Sequence, residues 1–134
     1  MSVVGVGIDS VDVARFKAVL ARRPRLAARL FTQGERDDAM MRRDPTERLA
    51  ARFAAKEATM KALGTGIGGF AFKDVEVVAQ GGAGAERRAP ALKLNCAAAT
   101  LADRRGVKRW HVSLTHTAQV ATAVVVAETA CDQS

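Results

Sequence analysis

The sequence predicts an α+β fold, a mostly antiparallel sheet packed against one long helix. Three observations carry that expectation. The chain opens on an alternating segment, Val4-Gly5-Val6-Gly7-Ile8-Asp9. A long Ala- and Leu-rich stretch lies between Asp44-Pro45 and Gly64, and two apolar alternations follow near the end. The expected order is β-α-α-α-β-β-α-β-β. At 134 residues the chain suits one domain spanning 1–134, with no room for a second core.

The opening alternation fits a strand that ends with Asp9 at its rim. Ser10 then caps a short helix in which Val13, Phe16, Val19 and Leu20 share an apolar face, Arg15 and Arg22 project elsewhere, and Pro24 ends the run. Thr32-Gln33-Gly34-Glu35 has capping-box spacing and starts another helix, fading by Arg43. Asp44-Pro45-Thr46-Glu47 is the strongest helix start: a carboxylate cap, proline at the first helical position, glutamate at the third. The helix runs to Leu63, and Gly64 supplies the left-handed residue that stops it. Gly64 to Gly69 is a loop, Phe72 to Ala79 a strand, and Gln80 to Pro90 a Gly/Ala turn region. A brief strand (Ala91 to Leu94), a helix near Asn95 to Arg105 stopped by Gly106, and two final strands complete the order. The first of these places Trp110, Val112 and Leu114 on one side; the second is Val120 to Glu128.

Charge narrows the choice of partner. Lys and Arg number 21 against 14 Asp and Glu, a net charge of +7. Arg15, Lys17, Arg22, Arg23, Arg25 and Arg29 follow one another without an acidic residue between them, so an anionic partner is expected. Aromatic residues are only 4% and Tyr is absent, which argues against base-stacking recognition of nucleic acid. The longest apolar run, Ala123 to Ala127, is far too short to cross a membrane. Met1-Ser2-Val3-Val4-Gly5 lacks a secretory pattern, so a cytoplasmic setting is expected. Cys96 and Cys131 belong to no ligand cluster and read as reduced thiols.

Two constellations can carry chemistry. Glu57 and Lys61 stand four apart and leave one helix face; alone they are a surface ion pair, favourably oriented. With Asp9 meeting them across a sheet–helix interface, two carboxylates and a lysine suit a divalent cation and a phosphate-bearing ligand. The second is Ser113-Leu114-Thr115-His116-Thr117, where hydroxyls and an imidazole converge at a strand end. The nucleophile-elbow and zincin patterns are both missing, as is a Walker loop, and Gly64-Thr65-Gly66 is first of all a helix stop.

Four segments taken together are more specific: Gly7-Ile8-Asp9-Ser10-Val11-Asp12-Val13-Ala14-Arg15-Phe16, Phe31-Thr32-Gln33-Gly34-Glu35, Arg52-Phe53-Ala54-Ala55-Lys56-Glu57-Ala58-Thr59-Met60-Lys61-Ala62-Leu63-Gly64-Thr65-Gly66, and His111-Val112-Ser113-Leu114-Thr115-His116-Thr117. In this order they resemble the holo-acyl-carrier-protein synthases, the short 4′-phosphopantetheinyl transferases. The chain departs from the family at Ser10 and Asp12, where an aliphatic residue and a glutamate are frequent, and at Thr115, where serine is common.

The resemblance implies the phosphopantetheinyl transferase fold and a Mg²⁺-dependent reaction. A serine of an apo acyl carrier protein attacks the β-phosphorus of coenzyme A, receiving 4′-phosphopantetheine and releasing adenosine 3′,5′-bisphosphate. It implies Asp9 and Glu57 as metal ligands and Lys61 against the pyrophosphate, with Glu57 as candidate base, directly or through a metal-bound water. Arg52, Gly64, Gly66, Ser113, His116 and Thr117 are implied to hold the nucleotide and its phosphates. Arg15 matches the family's carrier-contacting arginine, with Arg22 and Arg25 as helpers. A homotrimer with sites between subunits is also implied. The alternative reading is a non-catalytic basic module that binds nucleic acid or an acidic protein; the favoured one expects neither nucleic acid nor membrane as a partner.

Overall fold

The structure is a computed structural model and describes residues 2–79 and 90–130. Strand β1 (Val3–Asp12) leads into helices α1 (Val13–Arg22), α2 (Leu26–Leu30), α3 (Gln33–Met40) and α4 (Pro45–Ala62). A 3-10 turn (Phe72–Asp74) precedes β2 (Val75–Val78); β3 (Ala91–Leu94), α5 (Cys96–Arg104), β4 (Val107–His116) and β5 (Val120–Thr129) follow. The main sheet has the order β1-β5-β4, all antiparallel, and β2 pairs with β3 in a separate two-stranded sheet. The expected α+β architecture on a long helix is therefore present.

Helix α4 is the axis of the core. Its cap forms as expected, with the Asp44 carboxylate accepting from the Thr46 and Glu47 amides. Buried Ala50, Ala51, Ala54, Ala55, Ala58 and Ala62 give it a slim surface that lets the main sheet approach closely. At the other end a Schellman motif closes it: Thr65 N–H donates to the Met60 carbonyl and Gly64 N–H to that of Lys61, with Gly64 at φ 73°. The Thr32 capping box of α3 is also complete.

Strand β1 differs from its sequence reading at its end. It does not end at Asp9 but continues to Asp12, whose side chain, rather than that of Ser10, caps α1 by accepting from the Arg15 amide. Extra pairing with β5 decides this, since Ser10, Val11 and Asp12 sit opposite Thr122, Ala121 and Val120. The strand also turns its glycines, not its branched residues, toward the helix. A Cβ on Gly5 or Gly7 would lie 1.9 or 1.8 Å from the Ala62 or Ala58 carbonyl oxygen, so only glycine fits there. Val6 and Ile8 are left 57% and 60% exposed on the outer face.

Two further elements depart from expectation. Leu26–Leu30 forms a short helix just beyond Pro24, where the sequence predicts only a break. The strand expected from Phe72 begins as a 3-10 turn, because Phe72 packs its ring on Phe53 of α4 and pairing with β3 starts only at Val75. Gln80 to Ala89 of the expected turn region and Cys131 lie outside the described residues; Cys96 is free. No helix among the described residues is long and apolar enough to cross a membrane.

Candidate active site

Asp9, Glu57 and Lys61 meet where β1 crosses the last turns of α4. Asp9 follows Gly5 and Gly7 on the strand face turned to the helix, and Lys61 Nζ donates to the Asp9 carboxylate at 3.2 Å and to the Ile8 carbonyl at 2.9 Å. Lysine 61 thus turns to the strand instead of simply pairing with Glu57 along the helix. Partial burial pushes the Glu57 carboxyl above the usual range; the nearby Asp9 charge adds to this and Lys61 opposes it. The close approach of helix and strand, permitted by two glycines, is what brings these charges together.

Asp9 bonded to the Lys61 ammonium, with Glu57 beside them, makes a site already partly compensated by a cation. Among the described residues no three or more His, Cys, Asp or Glu side chains gather in a metal-ligating group. The protein can therefore offer a divalent cation two hard oxygen donors, with the remaining positions left to water or to ligand phosphates. Mg²⁺ is commonly bound in this way, and the donor set fits it.

Glu57 also lines a cavity of about 580 Å³. Phe16, Val19, Leu26, Leu30, Phe53 and Phe72 form its apolar walls, and Arg15 stands at its lining with Ser10 and Asp12. The short helix α2 contributes Leu26 and Leu30. Stacking of Phe16 on Phe53, at 5.2 Å between centroids, holds α1 against α4. Arg22 ends α1 and Arg25 stands at the N-cap of α2, both exposed. Arg25 also shares a second cleft with Arg23 and Arg29.

The other site residues stand apart from this cluster. Arg52 is buried on α4, its guanidinium 3.4 Å from Asp38 of α3. Burial lowers its pKa to about 10, Arg48 adds to that, and Asp38 and Glu35 oppose it. The Asp38 carboxyl feels burial most, yet the Arg48 hydrogen bond and the charges of Arg48, Arg52 and Arg42 hold it below the usual range. His116 reaches Glu47 on the first turn of α4 at 3.4 Å. Gly64 and Gly66 lie just beyond the other end of that helix, and a Cβ on Gly66 would meet nothing within 4 Å.

Ser113 and His116 do not converge within one chain. Ser113 is registered beside Val124 and Ile8 on the outer sheet face, whereas His116 meets α4 on the inner side. Thr117 shapes the β4–β5 turn by accepting from the Gln119 and Val120 amides.

Three structural contributions carried no role in the sequence reading. Gly5 and Gly7 set the spacing, signalled by small residues at period two facing Ala58 and Ala62 at helical spacing. Glu47 partners His116, which its place in the cap did not reveal. Lys56 is fully buried and donates to Glu35 at 2.8 Å, to the Phe72 carbonyl at 3.0 Å, and to the Val75 carbonyl. Burial lowers its pKa, and Glu35 resists that shift.

Comparison with known proteins decides the family. The model of the 4′-phosphopantetheinyl transferase superfamily matches residues 5–125. The chain belongs to that superfamily. It is 52% identical over 129 residues to a holo-[acyl-carrier-protein] synthase of Frankia casuarinae, covering 96% of this chain and 100% of the relative. A Streptomyces coelicolor protein of the same name is 46% identical over 128 residues, covering 96% and 99%. Among solved structures, the holo-[acyl-carrier-protein] synthase of Neisseria meningitidis superposes with a TM-score of 0.84 at 28% identity, covering 96% of this chain and all of that one. The Bacillus anthracis synthase, solved in complex with CoA (3′,5′-ADP), gives 0.76 at 34% identity and covers 96% and 98%. The transferase fold expected from the sequence is thus shared over nearly the whole chain.

Proposed function

We propose that this transferase moves 4′-phosphopantetheine from coenzyme A to a serine of an apo acyl carrier protein, leaving adenosine 3′,5′-bisphosphate. One observation carries the reading: Asp9 and Lys61 are bonded beside Glu57 at the wall of an apolar cavity. Relatives named holo-[acyl-carrier-protein] synthase support the reaction, and neighbours solved with coenzyme A support the donor. A rival role as a passive basic module leaves the Asp9–Lys61–Glu57 cluster without a purpose.

In this mechanism the carrier serine oxygen forms a bond to the β-phosphorus while the bond to the departing nucleotide phosphate breaks. Asp9 and Glu57 would hold Mg²⁺, which neutralises charge on the pyrophosphate. Lys61 needs only to swing from Asp9 to pair with a phosphate oxygen, so the resting contact keeps both groups compensated. Glu57 takes the serine proton, directly or through a water. Phosphoryl transfer depends chiefly on position and charge, and a protein nucleophile is unnecessary. The cavity beside Glu57 suits the uncharged pantetheine arm, and Arg15, Arg22 and Arg25 present positive charge to an acidic carrier.

The reading includes a cytoplasmic homotrimer with sites between subunits. Its support is the outer sheet face, where Val6 and Ile8 are exposed in register with Val126 and Val124. Asp9 faces α4 and Ser113 faces away, so a ligand using both needs two chains. Arg52, Gly64, Gly66, His116 and Thr117 complete the nucleotide set in this reading.

Intact mass measurement of an apo acyl carrier protein tests the reaction. With coenzyme A and Mg²⁺ it gains one phosphopantetheine; chelator or Glu57→Ala abolishes the gain. No gain with several different carriers would return the protein to the passive-module reading.

A further inference from the structure

The assigned phosphate site has an electrostatic difficulty. Lys61 lies in the last turn of α4, and Gly64 and Gly66 follow it, so the coenzyme A phosphates would approach a helix C-terminus. That end carries the negative pole of the helix dipole and repels anions. Most of its carbonyls are already occupied: Thr59, Met60 and Lys61 accept from Leu63, Thr65 and Gly64 amides. The Leu63 carbonyl accepts instead from the Arg105 guanidinium, which arrives from the C-cap of α5. The same Nη1 would stand 3.2 Å from a Cβ placed on Gly64, so the guanidinium lies flush against the glycine. Gly106, at φ 74°, then turns the chain into β4.

We propose that Arg105 is a positioning residue for coenzyme A: by capping the Leu63 carbonyl against Gly64, it offsets the negative end of α4 and holds the glycine loop where phosphates approach. This rests on the assignment of Lys61, Gly64 and Gly66 to those phosphates. Arg105 acts through the loop and needs no contact with the ligand.

Calorimetric titration with coenzyme A, at low and at high salt, tests the proposal on wild type, Arg105→Met, Arg105→Lys, Arg104→Met and Lys61→Met. Arg105→Met should weaken binding about two- to fivefold at low salt and flatten its salt dependence. Lysine at the same position should restore most of the affinity. Arg104→Met, which removes an equal charge from the neighbouring residue, should bind like wild type. Undiminished affinity in Arg105→Met, with only a lower thermal midpoint, would reduce Arg105 to a structural cap and overturn the proposal. An equal loss in Arg104→Met would do the same, by making general surface charge the cause. If Lys61→Met weakens binding and Arg105→Met does not, the phosphate assignment stands and this inference alone fails. Full affinity in Lys61→Met overturns both.

Discussion

Gly7 and Ala58 meet backbone against backbone: a methyl group on Gly7 would sit 1.8 Å from the Ala58 carbonyl oxygen. On either side of Ala58 along the helix, Glu57 and Lys61 depend on that closeness to stand beside Asp9. Gly7→Ala should therefore push α4 off β1, with overpacking costing about 1–3 kcal/mol or more. Divalent-cation affinity should fall with it. Denaturant unfolding and a metal titration on one sample check both losses; unchanged metal affinity would separate packing from the site.

The Glu57 carboxyl gives a pH signature. Its folded pKa is raised, so its ionised form is disfavoured in the free protein and this group favours the folded state more as pH falls. A divalent cation needs the ionised form. Metal binding should thus release a proton and weaken as pH drops through the region just above the ordinary carboxylate range. Calorimetry in buffers of different ionisation enthalpy measures that proton, and Glu57→Gln should abolish it.

Lys56 and Glu35 are both fully buried and mutually bonded, tying α4 to α3. Glu35 also accepts from the Val77 amide, extending the tie to β2. Lys56→Met should cost about 3–5 kcal/mol, because it strands the Glu35 charge. Adding Glu35→Gln should recover part of that loss. Chemical denaturation of the single and double variants reads the difference.

Val6 stands in register with Val126 and His111 on the outer face. In the proposed trimer, Val6→Asp should separate the subunits in sedimentation and weaken coenzyme A binding, even though Val6 lies outside the Asp9 cluster. A dissociated variant with full affinity would show that one chain supplies the whole site.

Arg15 lines the cavity rim and pairs with no acidic side chain among the described residues. Arg15→Glu should raise the carrier KM at least tenfold, through loss and reversal of one steering charge, with coenzyme A affinity changed far less. Equal loss of both would remove the carrier role.

The parts legible in the sequence were those governed locally. Asp44-Pro45 and Thr32-Gln33-Gly34-Glu35 specify their helices through caps that need only neighbouring atoms, and both form. Gly64 likewise takes its left-handed turn. What escaped was decided by distant partners. Alternation in β1 predicted a strand but could not tell which face meets α4, because glycines are ordinarily poor core residues; here the helix carbonyls claim that space. Adjacency in the sequence groups Ser113 with His116, yet a strand's period of two sends them to opposite sides. Asp9 with Glu57 was expected as a pair; the turn of Lys61 to the Ile8 carbonyl was not, since a backbone acceptor leaves no mark in a sequence.

The central place of β5 in the main sheet bears on synthesis. Strands β1 and β4 each pair with β5 and not with one another. Asp9 on β1 therefore gains its strand partner Ala123 only once β5 has emerged from the ribosome. Until then α4 can form but has no completed sheet to lie on, and the exposed edge of β1 is open to pairing with other chains. The corner where Asp9 meets Lys61 is thus secured only after β5 is made, and a ribosome stalled before residue 120 leaves a nascent chain that can form α4 but has no β5 to hold Asp9 against it.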